Sequence, residues 1–171
     1  MRRRSPNLKL AAGFCPLRAL LDAGVNVAIG TDGAASNNTL DLFAETRLAA
    51  LLAKGSSGDP TALSAHAALA RATLGGAEAL GLADRIGSLE PGKDADLIAI
   101  DMRRTGCQPL YDAHSALVYT ASGSAVTDVW VEGKPLLQGG ALSGLTPEAL
   151  QESARLWHER ISPGHRCEVR A

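Results

Sequence analysis

A run of small apolar residues that ends at a single carboxylate is the feature that most limits how this chain can fold. Residues 25–38 have the sequence VNVAIGTDGAASNN, in which Asp32 lies between Gly30 and Gly33. The apolar run predicts a strand that is buried on both faces, which is typical of a parallel sheet covered by helices. Because the carboxyl ends of such strands carry the chemistry, Asp32 is predicted to lie at a functional edge of the sheet.

Helical signals flank this strand. Pro16 at a first helical position and Gly24 beyond the last turn predict a helix over residues 16–23. Asn38 is predicted to cap a second helix that ends near Lys54 and carries apolar residues at helical spacing. The order helix, strand, helix indicates an α/β fold built on a parallel sheet.

The pattern of the sequence changes near residue 85. Before this point, one more helix is predicted to start at Asp59 and a short one to end at Gly81. After it the pattern predicts mainly short strands, including one over residues 96–101 and a hairpin that turns at Glu132 and Gly133.

A last helix is predicted from Thr146 to about Arg160. Along it, Leu150, Trp157 and Ile161 recur at helical spacing. Such an apolar stripe predicts that the helix docks onto a body.

Composition excludes several classes of protein. A net charge of −1 gives no long-range attraction to nucleic acid or anionic lipid. No apolar run approaches the roughly 20 residues that span a bilayer. The cysteines, Cys15, Cys107 and Cys167, form no CxxC pair, so neither a disulfide framework nor a zinc knuckle is expected. We therefore expect a soluble, cytoplasmic protein.

Asp32 and the polar segment GKDAD each allow two interpretations. Asp32 either turns the chain after the strand or serves a ligand or metal, for which the small residues 34–36 leave room. In the segment GKDAD, the residues Lys93, Asp94 and Asp96 fit a cation site or a solvated turn before a strand, and turn chemistry favours the second.

Two motifs, supported by a third segment, carry a family resemblance. The segments GTDGAASNN and LEPGKDADLIAID, together with LVYTASGSAVTDVWVEGKPLL, are similar to the carboxyl-terminal half of the amidohydrolase superfamily. The resemblance extends from Asn7 to about Leu137. It is closest to the branch that contains 5-methylthioadenosine/S-adenosylhomocysteine deaminases and the triazine and guanine hydrolases.

The resemblance implies an architecture. We expect an α/β fold that forms the carboxyl-terminal part of a (β/α)8 barrel and part of a small β-sandwich. At 171 residues the chain is too short for a complete barrel, which takes about 250. The expected parts, in chain order, are an incomplete barrel over 1–85, the sandwich portion over 86–145, and a terminal helix and tail over 146–171.

The resemblance also implies a reaction. Asp32 is expected to hold zinc or a similar divalent ion, to accept a proton from the water bound there, and to contact the substrate. Asn7 and Ser36 are weaker candidates for substrate contacts. The expected activity is hydrolysis of a carbon–nitrogen bond other than a peptide bond, which deaminates an adenosine-type or related heterocycle.

One departure from the family pattern limits this expectation. The family's other metal ligands are histidines upstream of the matching segment, and none of His66, His114, His158 and His165 falls at a ligand position. The chain is therefore expected to be inactive alone. In the complete enzyme the expected substrate is a small heterocycle. The expected protein partner is either the missing amino-terminal half or further copies of the chain itself. The alternative is a non-catalytic relic, or a subunit that completes another chain's barrel.

Overall fold

In a computed structural model of the chain, which describes residues 9–11 and 13–161, helices precede a small antiparallel sheet, a further helix lies between its first two strands, and another follows its last strand. The helices are α1 (Leu17–Asp22), α2 (Leu42–Ser57), α3 (Ala65–Ala72), α4 (Leu74–Leu80), α5 (Ala113–Tyr119) and α6 (Pro147–Ile161). The strands are β1 (Leu97–Ile100), β2 (Val126–Val131), β3 (Lys134–Gln138) and β4 (Ala141–Leu142). The mixture of helix and strand agrees with the predicted α/β class.

The core lies where α1, α2, α3 and α5 meet and is made mainly of small residues. Its buried members are Leu17, Val27, Ala49, Ala50, Ala53, Ala62, Leu63, Ala68 and Val118. Alanine at so many of these positions lets the helices approach closely, since interaxial distance depends on the side chains at the contact.

Two predicted helices are confirmed. Helix α1 covers Leu17–Asp22 against the prediction of 16–23, and Pro16 stands directly before it. Helix α4 ends at Gly81, whose φ of +72° is the left-handed conformation that glycine adopts without a steric penalty.

The predicted start of α2 is wrong. Asn38 does not cap it; the Asp41 carboxylate accepts hydrogen bonds from the amides of Phe43 and Ala44 and fixes the first turn. Leu40 has a φ of +49°, a conformation that cannot belong to a right-handed helix, so α2 begins only after it. The helix also runs past Lys54 to its last residue, Ser57.

The start of α3 also differs from the prediction. Asp59 accepts hydrogen bonds from the Thr61 amide and hydroxyl, which closes a local turn in place of a helix. The cap is Ser64, whose hydroxyl accepts from the Ala67 amide at 3.2 Å.

The predicted strand over 25–30 is not part of a sheet in the described residues. The Ile29 amide donates to the Arg71 carbonyl at 3.1 Å, which ties the segment to the end of α3. The consecutive residues Val27 and Ala28 are both buried, as predicted, whereas Val25 at the start of the segment is 46% exposed. A strand requires a hydrogen-bonded neighbour, and the sheet of the described residues lies elsewhere.

That sheet contains β1, β2, β3 and β4 in chain order, and every neighbouring pair is antiparallel. The hairpin between β2 and β3 turns at Glu132 and Gly133, as predicted. Their φ values of +50° and +74° are those of the turn that matches the twist of paired strands. The predicted strand over 96–101 is confirmed as β1.

Helix α5 was not expected, because the segment after residue 85 predicts mainly strands. Its seven residues include Val118 and Tyr119, which favour strands in a short window. Asp112 caps it by accepting from the Ser115 amide at 2.7 Å. The Arg47 side chain of α2 donates to the Val118 carbonyl, so α5 belongs to the helical core. The division into three parts stays a prediction.

Helix α6 occurs where it was predicted, but it does not dock onto the described part of the chain. No residue of α6 is buried, and Trp157 is 57% exposed. The Arg160 guanidinium lies over the Trp157 ring, 5.3 Å from its centroid. Within the described part of the chain, no helix is both long and apolar enough to cross a membrane.

Candidate active site

Asp32 lies on a tight loop directly after residues 25–30. Its φ is +66°, in the left-handed region that residues other than glycine, asparagine and aspartate seldom adopt. The side chain is partly buried. Ser36 Oγ donates to Asp32 Oδ2 at 3.0 Å and also lies 3.1 Å from the Gly33 carbonyl oxygen. The fold therefore brings together Asp32 and Ser36, two of the residues singled out by sequence.

The loop carries backbone strain at both of its ends. Leu40 is left-handed as well as Asp32. Conformations of this kind cost on the order of 1–3 kcal/mol each and persist only where surrounding contacts impose them. Contacts inside the loop must therefore hold its shape.

The main contact of that kind is buried. Asn37 is 5% exposed and donates through Nδ2 to Glu45 Oε1 at 2.9 Å, and Glu45 on α2 is 3% exposed. The side-chain oxygen Oδ1 of Asn37 accepts from Thr39 Oγ1 and from the Leu40 amide. A buried carboxylate is stable only when it is hydrogen-bonded, so the loop and the helix depend on each other here.

A second contact holds the outer side of the loop. Lys9 Nζ donates to the Ala35 carbonyl at 3.1 Å and to Asn38 Oδ1 at 2.7 Å. Asn7, the remaining residue singled out for substrate contact, lies outside the described residues.

The donor set around Asp32 does not fit a catalytic zinc ion by itself. Such an ion takes about three protein ligands and a water. Residues 9–11 and 13–161 contain no group of three histidine, cysteine, aspartate or glutamate side chains that could hold a metal ion. Asp32 can supply one ligand, so any metal site at this loop needs ligands from beyond the described chain.

Two histidines that are far apart in the sequence are neighbours in the fold. The rings of His66 and His114 meet edge to face with centroids 5.0 Å apart. His114 Nδ1 lies 3.8 Å from Asp112 Oδ2. Hydrogen bonds from Ser115 hold the pKa of the Asp112 carboxyl below its usual range. The contact between His66 on α3 and His114 on α5 joins these two helices at the surface.

The segment GKDAD forms a turn, as turn chemistry favoured. Lys93 Nζ donates to the Ala83 carbonyl and to Ser88 Oγ, both at 2.6 Å. Asp96 Oδ1 accepts from the Glu132 amide at 2.7 Å. Lys93 and Asp96 therefore hold the turn against the segment that precedes it and against the β2–β3 hairpin.

Asn37 and Glu45 were missed as parts of the site. A signal for Glu45 exists in the sequence, because it falls at helical spacing on the same face as the buried alanines 49 and 53. A carboxylate on the core face of a helix indicates a specific polar partner. The identity of that partner depends on how the loop folds back.

Residues 2–136 match the model of the Amidohydrolase family. A 5-methylthioadenosine/S-adenosylhomocysteine deaminase from Teredinibacter turnerae is 52% identical over 155 residues, which are 91% of this chain and 35% of the relative. The chain therefore spans about a third of the length of that curated relative.

Two solved structures share this architecture. An adenosine deaminase from Xanthomonas campestris with bound zinc superposes with a TM-score of 0.91 at 53% identity, covering 94% of this chain and 36% of the other. An atrazine chlorohydrolase from Arthrobacter aurescens TC1, complexed with zinc, superposes with a TM-score of 0.81 at 32% identity, covering 89% and 34%. The fold class expected from the resemblance is confirmed, and both neighbours contain zinc, the metal expected for the family.

Proposed function

The chain belongs to the amidohydrolase family, and from that premise we propose that it is the carboxyl-terminal part of a metal-dependent deaminase in the cytoplasm. The proposed substrate is an adenosine-type heterocycle such as 5-methylthioadenosine or S-adenosylhomocysteine. The observation that carries the proposal is the 52% identity to such a deaminase over 91% of the chain, which includes the Asp32 loop.

In this proposal the reaction is a hydrolytic deamination. Water adds to the ring carbon that bears the amino group, the carbon–nitrogen bond breaks, and ammonia leaves while a carbonyl forms on the ring. Asp32 is the proton acceptor, since a positioned carboxylate can take a proton from the attacking water and pass it to the leaving nitrogen. The Ser36 hydroxyl, which donates to Oδ2, orients that carboxylate.

The described residues do not form a metal site, so no step of the reaction is assigned to a metal on this chain. The chain alone is proposed to be inactive. Its function then requires the amino-terminal part of a barrel, from the same protein or from another polypeptide.

A chimera tests the proposal. It joins the amino-terminal part of the Xanthomonas campestris adenosine deaminase to this chain, in place of the segment that the chain matches. We expect the chimera to release ammonia from adenosine, 5-methylthioadenosine or S-adenosylhomocysteine, and the chain alone to release none. Asp32→Asn should lower the rate by about 100-fold or more, the usual contribution of a general base.

The matched control is Asp84→Asn, a change to an exposed carboxylate at the surface between α4 and β1. It should leave the rate unchanged. A folded, zinc-loaded chimera that releases no ammonia from any of these substrates would contradict the proposed activity.

Exposed apolar residues support a second candidate function, a non-catalytic subunit that completes another chain's barrel. Phe14 is 66% exposed, and Val25, the first residue of the segment 25–30 that joins no sheet in the described residues, is 46% exposed. Surfaces of this kind favour association. Light scattering and a thermal melt test this candidate together with the first one, because a stable monomer with a single cooperative melting transition would argue against both and for an independent domain.

A further inference from the structure

Burying the pair Asn37–Glu45 costs free energy, and the packing of α2 alone does not explain why a carboxylate stands there. Glu45 lies on the core face of α2, where the other buried positions are alanine or threonine. A carboxylate at such a place loses its hydration and regains stability only through hydrogen bonds. Asp41 already caps α2, so Glu45 is not needed to begin the helix.

Asn37 connects Glu45 to the whole loop. Its amide donates to the Gly33 carbonyl at 2.9 Å, next to Asp32 in the chain. Its side-chain oxygen accepts from Thr39 Oγ1 at 3.2 Å and from the Leu40 amide at 3.3 Å. Asn37 thus reaches the first turn of the loop through its backbone amide, and the last residue of the loop and Glu45 through its side chain.

The same turn holds Asp32. The Gly33 carbonyl that accepts from Asn37 also accepts from the Ser36 amide at 3.1 Å, and Ser36 Oγ contacts the Asp32 carboxylate. The left-handed φ at Asp32 therefore sits at the end of a continuous series of hydrogen bonds that starts on α2 at Glu45.

We propose that Glu45 is a positioning residue for Asp32. Acting through Asn37, it fixes the turn that imposes the left-handed conformation at Asp32 and sets the direction of its carboxylate. The consequence for catalysis rests on the proposed function, because a proton acceptor must be held in a narrow range of positions. The structural part of the proposal stands without it.

Backbone NMR of the full 171-residue chain tests the structural part. We expect Glu45→Ala and Asn37→Ala to remove the left-handed chemical-shift pattern at Asp32 and to speed amide exchange over residues 33–40. Signals of β1–β4 should not move. Glu45→Gln should keep the wild-type pattern, since its side-chain carbonyl can still accept from Asn37. Glu78→Ala, an exposed change on α4, is the matched control.

Kinetics of the chimera test the consequence. Glu45→Ala should lower kcat by about 100-fold at nearly constant KM, the effect of a displaced catalytic group, and Glu45→Gln should restore most of it. If the wild-type chimera is inactive, the proposed function fails and the NMR result still decides the role of Glu45.

Two results would overturn the proposal. One is a left-handed Asp32 that persists in both Glu45→Ala and Asn37→Ala. The other needs no variant, which matters if those chains do not fold. It is rapid exchange of the Asn37 and Leu40 amides in the wild-type chain, because the proposal requires Asn37 to hold the loop closed.

Discussion

The Asp41 carboxylate and the Gly123 amide lie 3.2 Å apart, although 82 residues separate them in the chain. Asp41 Oδ1 accepts from the Phe43 amide at 2.8 Å, while Oδ2 accepts from Gly123. One carboxylate thus begins α2 and anchors the turn that leads into β2, so the helical core and the sheet share this contact.

Asp41→Ala should therefore destabilise the chain more than the loss of an ordinary helix cap. Removing a cap costs about 0.5–2 kcal/mol, and we expect a value at the upper end because a second hydrogen bond is lost. Urea denaturation measures the change. Asp41→Asn keeps a side-chain oxygen that can cap the helix and should recover at least half of the loss. Equal effects of the two changes would contradict the capping role.

Gly87 should not tolerate a side chain. A Cβ there would lie 2.7 Å from the Ala77 Cβ and 3.0 Å from the Leu74 Cα, and φ is +92°. We expect Gly87→Ala to lower the free energy of unfolding by about 1–3 kcal/mol beyond the backbone strain, since overpacking costs that much.

The matched control is Gly92→Ala, because Gly92 has a φ of +94° but no atom within 4 Å of its added Cβ. It measures the backbone strain alone. A thermal melt in which both variants lose the same stability would show that α4 moves away from Gly87 at no cost.

Asp112 should contribute to acid sensitivity. Its pKa is lowered in the folded chain, first by the hydrogen bonds from Ser115, so the folded state binds the proton more weakly than the unfolded state. The stabilisation is present above the unfolded pKa of about 3.9 and disappears as pH falls through the lower folded pKa. Asp112→Asn should weaken the loss of stability below about pH 4.

Asp112→Ala distinguishes the charge from the cap. It should show the same weakened acid dependence, but it should also lose stability at neutral pH, where Asn keeps the hydrogen bond from Ser115. Denaturation curves at pH 3 and pH 7 for the wild type and both variants decide the point. An unchanged acid dependence in both variants would contradict it.

Trp157 should report on whether α6 has a partner. With 57% of it exposed, its fluorescence in the chain alone should be red-shifted and readily quenched by iodide. Trp130→Phe removes the other tryptophan and isolates the signal. In the chimera, docking of α6 should shift the emission to the blue. A protected Trp157 in the isolated chain would mean that α6 packs against something in solution.

Sequence patterns identified the elements whose signals are local. Gly81 ends α4 and the pair Glu132–Gly133 turns the β2–β3 hairpin, because each needs only a left-handed conformation and neighbours close in the chain. The cap of α2 was misplaced by three residues, since Asn38 and Asp41 are equally good caps and the choice depends on the left-handed Leu40 between them.

The rest of the fold depends on contacts that are distant in sequence. Helix α5 forms because Val118 is buried against α2 and α3, and its seven residues alone carry no strong helical pattern. Likewise, sequence located Asp32 and Ser36, which are four residues apart. It could not show that Glu45 lies below the same loop, because that contact requires the chain to turn back on itself.

The alanine-rich core has a thermodynamic character of its own. Alanine loses no rotamer freedom on folding, so Ala49, Ala50, Ala53, Ala62 and Ala68 are ordered without side-chain entropy loss. Such positions leave little to truncate, whereas even one added methyl group presses two backbones apart. Mutation can therefore damage this core chiefly by enlargement, and the close fit of its helices, more than the amount of apolar surface, sets how much variation it tolerates.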